Sequence, residues 1–209
     1  MVRPLDAATQ AAVRDRSRGV IIRNFVLVTI TEGAVVTPFG FTDYGEDVSL
    51  NVVVNGAGTV ENHVFYGDNA PIQSIDPIAL KIGLTVDTTQ IRLNPLHEIV
   101  KLMARGHEIG LRTAKVQVFR GYLDPESMQP VANPRSRLLG QVNGAPEMTA
   151  AVGGQSVRTI KVVSHTRELT RTNSAKRSDE TYRLRGGDRF GQYSGTAGQW
   201  ELWWGEARS

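Results

Sequence analysis

Apolar and polar residues change their spacing several times along the chain, and each change marks an element. From Gly19 to Glu32 the residues Val20, Ile21, Ile22, Val26, Val28, Thr29, Ile30 and Thr31 crowd together, apolar on both sides in places. That pattern predicts a well-buried strand. Val48 to Val54 reads as the next strand and Val60 to Tyr66 as its partner. Asn55-Gly56 is a hairpin signal between them, in a loop lengthened by Ala57 and Gly58. Ile78 to Val86 predicts a further strand. Over Thr113 to Tyr122, Ala114, Val116 and Val118 alternate with Lys115 and Gln117, as in a strand with one wet face. Arg137 to Val142, Glu147 to Val152 and Val157 to Ser164 follow as short strands, separated by Asn143-Gly144 and Gly153-Gly154.

Two stretches read as helix. Pro4 to Arg18 has a thin apolar face and is stopped by Gly19. Asn94 to Gly106 is the clearer one. Asn94 suits the N-cap, Pro95 the first helical position, and Leu96, Ile99, Val100 and Met103 share a face. Thr37 to Gly45, with Pro38, Gly40 and Gly45, and Asp124 to Pro134, with three prolines, read as connections. Short strands parted by glycine turns point to a mainly β fold, a barrel or sandwich with one or two short helices. The expected organisation is an N-terminal helix or arm over 1–19, a β-rich core over 20–164 and a C-terminal arm over 165–209.

That arm has its own character. Residues 165–189 carry Arg167, Arg171, Lys176, Arg177, Arg183, Arg185 and Arg189 with few apolar positions. Glu168, Asp179, Glu180 and Asp188 interrupt the cations and dilute their field. The segment therefore reads as a salt-bridged arm, extended or a surface helix, and not as a specific nucleic-acid site. Trp200, Trp203 and Trp204 follow almost at the end. Three amphipathic rings are costly to leave in water, so they are expected to pack on this chain or on another. Such a cluster serves most often as an interface anchor; stacking on sugars is the other use.

Composition narrows the class. The chain has 209 residues, 40% hydrophobic and 22% charged, as in an ordinary globular protein. It has no cysteine, which excludes disulfides, thiolate zinc sites and iron–sulfur clusters. No apolar run approaches a membrane span, and Met1-Val-Arg-Pro-Leu-Asp lacks the apolar core of a signal peptide. The only lysines are Lys81, Lys101, Lys115, Lys161 and Lys176, so arginine dominates the basic residues. Arginine is favoured where planar forks pair carboxylates across interfaces, although genomic composition can produce the same bias.

A search for catalytic or metal chemistry finds little. His97-Glu98 opens like a zinc-protease helix, but position 101 is lysine. His63, His97, His107 and His165 show no ligand spacing. Asp43, Glu46, Asp47, Glu61, Asp68, Asp76 and Asp87 supply carboxylates, all at turns or strand ends where acids are common. There is no Gly-x-Ser-x-Gly elbow, and Asn55-Gly-Ala-Gly58 lacks the lysine of a phosphate loop. Arg185-Gly-Gly-Asp188 is one residue too long for an Arg-Gly-Asp ligand and reads as a turn. No catalysis and no cofactor are expected.

Two stretches resemble the tail hub family of long-tailed bacteriophages and gene transfer agents. Phe39-Gly-Phe-Thr-Asp-Tyr-Gly-Glu-Asp47 is similar to that family's Gly-Phe-Thr-Asp-His-Asp turn. A segment like Ala79-Leu-Lys-Ile-Gly-Leu-Thr-Val-Asp87, a short helix and Ala114-Lys-Val-Gln-Val-Phe-Arg-Gly-Tyr122 then follow in the family's order. At the other end, Arg177-Ser-Asp179, Gly187-Asp-Arg-Phe190, Trp200 and Trp204-Gly205 resemble a recurring hub and tail-tip pattern. Gly45 and Glu46 depart from the family's turn, and the cysteines of relatives that hold a cluster are absent.

The resemblance implies a structural component of the virion tail, made in a bacterial host cytoplasm. It would be a β-barrel-like hub ring, a trimer or else a hexamer. Such a ring links the distal tail protein to the tip and central fibre and surrounds the tape-measure protein. Trp200, Trp203 and Trp204 would anchor the ring seam, with Arg167, Arg171, Arg177 and Arg183 pairing to acids across it. A carbohydrate- or receptor-binding tail module, with the tryptophans facing glycan, is the alternative. A wall-degrading tail enzyme lacks its catalytic constellation here.

Overall fold

The crowded β-branched residues after Gly19 form the longest strand of a ten-stranded sheet. The computed structural model describes residues 6–15, 17–54, 58–78, 87–152, 154–165, 179–184 and 186–193. In chain order these hold α1 (Ala7–Arg14), β1 (Ile21–Glu32), β2 (Val35–Thr42), β3 (Val48–Val54), β4 (Thr59–Tyr66), β5 (Ile72–Ile75) and β6 (Thr88–Leu93). Then come α2 (Glu98–Gly106), α3 (Glu108–Leu111), β7 (Lys115–Leu123), β8 (Arg135–Val142), β9 (Glu147–Met148), β10 (Val157–Ser164) and α4 (Asp179–Arg183). The fold is mainly β, with four short helices among the described residues.

Strand order is β3-β4-β2-β1-β7-β8-β10-β6-β5, with β9 beside β10. Every pairing is antiparallel except that of β2 with β4, which are parallel over Gly40↔Phe65 and Phe41↔Tyr66. Period-two alternation sends successive β1 residues to opposite faces, and both faces are covered. Val26, Val28 and Ile30 join Phe39, Phe41, Val116, Val118, Ile91, Leu93, Ile160 and Val162 in the larger core, which Val100 and Met103 of α2 close. Phe25 and Leu27 join Phe119, Leu50, Val52, Val54 and Phe65 in a second core under the β3–β4 hairpin. Phe65 sits edge-on to Phe25 at 5.4 Å and to Phe119 at 6.4 Å between centroids. Gln117 is buried on this side, and its amide donates to the Val53 carbonyl at 2.9 Å.

Several expectations change. Thr37 to Gly45 is no connection: residues 35–42 are β2, turned from β1 by Gly33 at φ 62°. Pro38 is tolerated because β4 pairs with β2 only at Gly40 and Phe41, so no described strand pairs with that side of the proline. Gly40 is there for space, since a Cβ would collide with the Val64 carbonyl oxygen. α2 starts at Glu98, not at Asn94. The Asn94 side chain instead accepts from Leu96 N–H at 3.0 Å, in a turn that leaves Leu96 exposed. Gly106 is the last residue of α2, as expected, and a separate short helix, α3, follows after His107. The strand expected over Glu147 to Val152 shrinks to Glu147–Met148, with Val152 fully exposed. β5 and β6 were not anticipated. The strand expected over Ile78 to Val86 falls, apart from Ile78, outside the described residues, as does Asn55-Gly56.

α1 is anchored by Asp6, whose carboxylate accepts from Thr9 N–H at 2.7 Å and from Thr9 Oγ at 2.8 Å. The bond from the Thr9 backbone is the main reason its carboxyl titrates below the ordinary range. Gly19 at φ 71° closes the turn after α1. The chain divides into two compact units, Met1–Thr170 and Arg171–Ser209. Among the described residues no helix is long and apolar enough to cross a membrane.

Candidate functional site

Of the residues expected to carry function, Arg183 alone is described; Trp200, Trp203, Trp204, Arg167, Arg171 and Arg177 lie outside the described residues. Arg183 ends α4 and its guanidinium meets Asp179 at 2.8 Å, four positions back in the same helix. Acid before base at this spacing suits both the pair and the helix dipole. The charge of Arg183 is thus already answered within α4, while its side chain stays half exposed.

The Gly-Asp-x-Phe pattern has a clear local role. Gly187 N–H donates to the Arg183 carbonyl at 2.9 Å, and Gly186 and Gly187 take φ 72° and 83°, which closes α4. Asp188 then accepts from Phe190 N–H at 2.9 Å, an Asx turn. That turn brings the Phe190 ring edge-on to Tyr182 at 6.1 Å between centroids. At Gly191 the chain recrosses α4 so closely that a Cβ would stand 3.0 Å from the Asp179 backbone. These turns hold apolar groups outward: Leu184 is 89% exposed, Phe190 87% and Tyr193 65%. Phe190 was legible as part of the pattern; Leu184 and Tyr193 carried no signal beyond being apolar in a charged stretch.

The Gly-Phe-Thr-Asp segment is a structural joint. Asp43 Oδ1 accepts from Asn24 N–H and Oδ2 from the Asn24 amide, each at 2.8 Å. Thr42 Oγ donates to the Asn24 carbonyl at 3.1 Å, and Tyr44 Oη donates to the Met128 carbonyl at 3.0 Å. The segment therefore ties the end of β2 to the start of β1 and to the loop after β7.

Clefts open on the first unit, and two are lined by described residues. One, of about 540 Å³, is lined by Asp47, Tyr66, Asp68, Asn69, Asn94, Leu96, His97, Glu98 and Ile99. Its acids are partly engaged: Asp47 Oδ1 accepts from Gly67 N–H at 2.9 Å, and Asp68 accepts from Asn69 N–H at 2.9 Å. The other, of about 630 Å³, includes Arg105, Arg112 and Arg158 with Glu108 and Glu147. There Arg158 is paired with Glu147. Among the described residues no three His, Asp or Glu side chains gather to hold a metal ion.

The histidines are spread out. His107 Nδ1 meets Glu32 at 2.9 Å and His63 Nε2 meets Glu61 at 3.0 Å, while His97 borders the first cleft. No protein-family model matches the chain, and no curated protein matches it either.

Proposed function

We propose that this chain is a structural, non-catalytic component of a phage tail tip or baseplate. It is a hub ring in the virion tail, a trimer by preference and a hexamer otherwise. The ring joins the distal tail ring to the tip and central fibre around the tape-measure protein. One observation carries the reading: Leu184, Phe190 and Tyr193 are exposed on a hydrogen-bonded run of turns, just before a segment with three tryptophans. A group of exposed apolar side chains suits a seam between subunits. The order of the two family-like stretches supports the same reading.

The test is assembly. The purified chain, alone and with a distal tail protein, is expected to scatter light as a closed multiple of 22.9 kDa. Removal of residues 196–209 is expected to abolish that species while the circular dichroism of the β fold persists. Particles of unchanged mass after truncation would refute the role of the tryptophans, and absence of the chain from purified tails would refute the reading itself.

The second reading, a carbohydrate- or receptor-binding tail module, draws on the first cleft. Tyr66, Asn69, Asn94 and the nearby acids offer a ring and mixed donors and acceptors for hydroxyl groups. A glycan array separates the two: selective binding lost in Tyr66→Ala favours the module.

A further inference from the structure

β2 and β4 run parallel and pair only at Gly40↔Phe65 and Phe41↔Tyr66. Beyond that junction each keeps a partner on one side alone. β1 continues along Val35–Phe39 and β3 along Thr59–Val64. Among the described residues nothing pairs with the opposite edge of either stretch. Two backbone edges that no described strand pairs therefore border one notch in the sheet.

The side chains there are unusual for free edges. Val35, Val36, Val60 and Val64 are 64%, 58%, 55% and 48% exposed. Neither stretch carries a lysine, and the protective features are limited to Pro38, Glu61 and His63. Free edges in natural sheets are commonly blunted by charge, because open N–H and C=O groups recruit foreign strands. An edge rich in exposed valine invites strand addition, in which backbone hydrogen bonds supply affinity and side-chain contacts supply register.

The chain itself has a segment with the pattern of an added strand. Residues 79–86, outside the described residues, read Ala-Leu-Lys-Ile-Gly-Leu-Thr-Val. Leu80, Ile82, Leu84 and Val86 alternate with Ala79, Lys81, Gly83 and Thr85, a period of two over eight positions. Eight residues match the six of Thr59–Val64 with one to spare at each end. In the sequence the segment lies between β5 and β6, two strands at the opposite end of the strand order from β3 and β4.

We infer that the notch between β2 and β4 accepts residues 79–86 of a second copy of this chain by strand addition. Donor and acceptor are different surfaces, so the contact is head-to-tail and closes a ring when its rotation permits. This rests on the hub-ring reading and names the contact that would build the ring.

The test uses two full-length variants. Val36→Lys with Val60→Lys blocks the acceptor, and Ile82→Lys with Leu84→Lys blocks the donor. The acceptor positions are exposed, so the fold is expected to survive there; circular dichroism checks both variants. Each variant alone is expected to lose assembly and run as a single 22.9 kDa copy. An equimolar mixture retains one intact contact and is expected to stop at twice that mass.

Hydrogen exchange supplies the second readout. Backbone amides of 35–39 and 59–64 are expected to slow in the assembled unmodified chain relative to the dissociated chain. Variants that assemble normally, a mixture that stays monomeric, or assembled protein with those amides still fast would each overturn the inference. So would amides already slow in the single copy, which would mean that the chain covers its own notch. A chain found in purified tails with fast notch amides sinks strand addition and leaves the hub reading standing.

Discussion

Asp43 grips Asn24 with both carboxylate oxygens, one on the backbone N–H and one on the side-chain amide, each at 2.8 Å. Asp43 N–H in turn reaches the Asn24 carbonyl at 3.3 Å. The residue after β2 is thereby locked to β1 before the chain turns toward β3. Asp43→Ala removes a charged acceptor and leaves two donors to find water. It is expected to cost about 1–2 kcal/mol, read as a lower urea midpoint with unchanged slope. An unaltered midpoint would show that the clamp is decorative.

Gly40 lies at the junction of β2 with β4, the only parallel pairing among the described residues. An added Cβ would meet the Val64 carbonyl oxygen and come within 3.0 Å of the Phe65 ring. Backbone cannot yield there as a flexible side chain would. Gly40→Ala is expected to cost about 1–3 kcal/mol, as overpacked sites do, and to lower the melting temperature by several degrees. Gly106→Ala is the control, because a Cβ there meets nothing within 4 Å. It is expected to leave the melting temperature unchanged or slightly raised.

Phe65 is fully buried between Phe25 and Phe119 and anchors the β3–β4 hairpin over its core. Phe65→Ala leaves a cavity at that contact and is expected to cost roughly 3–5 kcal/mol. Denaturant unfolding reads the loss. Limited proteolysis is expected to cut first within 48–66, where the hairpin loses its hold.

Asp6 makes α1 sensitive to acid. Its carboxyl titrates below the ordinary range because the Thr9 backbone bond favours the charged form, with Arg135 adding a smaller attraction. A depressed folded value means the stabilisation is present at neutral pH, above the unfolded value, and is lost as pH falls through the folded one. Amide exchange in α1 is therefore expected to accelerate below the ordinary carboxylate range before the sheet is affected. Asp6→Asn retains an acceptor for the cap and is expected to flatten that pH dependence; a profile unchanged by this substitution would assign the effect elsewhere.

The parts of the fold that β-branched runs and alternation specify were legible. β1, β3, β4, β7, β8 and β10 all appear close to their expected places. What failed was local chemistry judged without its neighbours. Pro38 and Gly40 look like turn residues, yet one sits where no described strand pairs with β2 beyond β1 and the other lies tight against β4. Gln117 looks like a solvent-facing position, but β3 supplies the Val53 carbonyl that satisfies its buried amide. Asn94 and Pro95 fit a helix start, while the Asn94 side chain closes a separate turn ahead of α2. β6 was missed because Thr88-Thr-Gln-Ile-Arg-Leu93 is short and its apolar positions gain meaning only beside β10. At the candidate seam, Phe190 was legible through its motif, whereas the ion pair of Arg183 with Asp179 depends on α4 forming.

β1 gives alternate side chains to each of two oily interiors, and β7 does the same from the neighbouring position. Neither interior can therefore dissolve while the other persists, since the loss of either strips water-shy atoms from one shared ribbon. Heating the first unit is expected to produce one sharp calorimetric peak in place of two shallow ones.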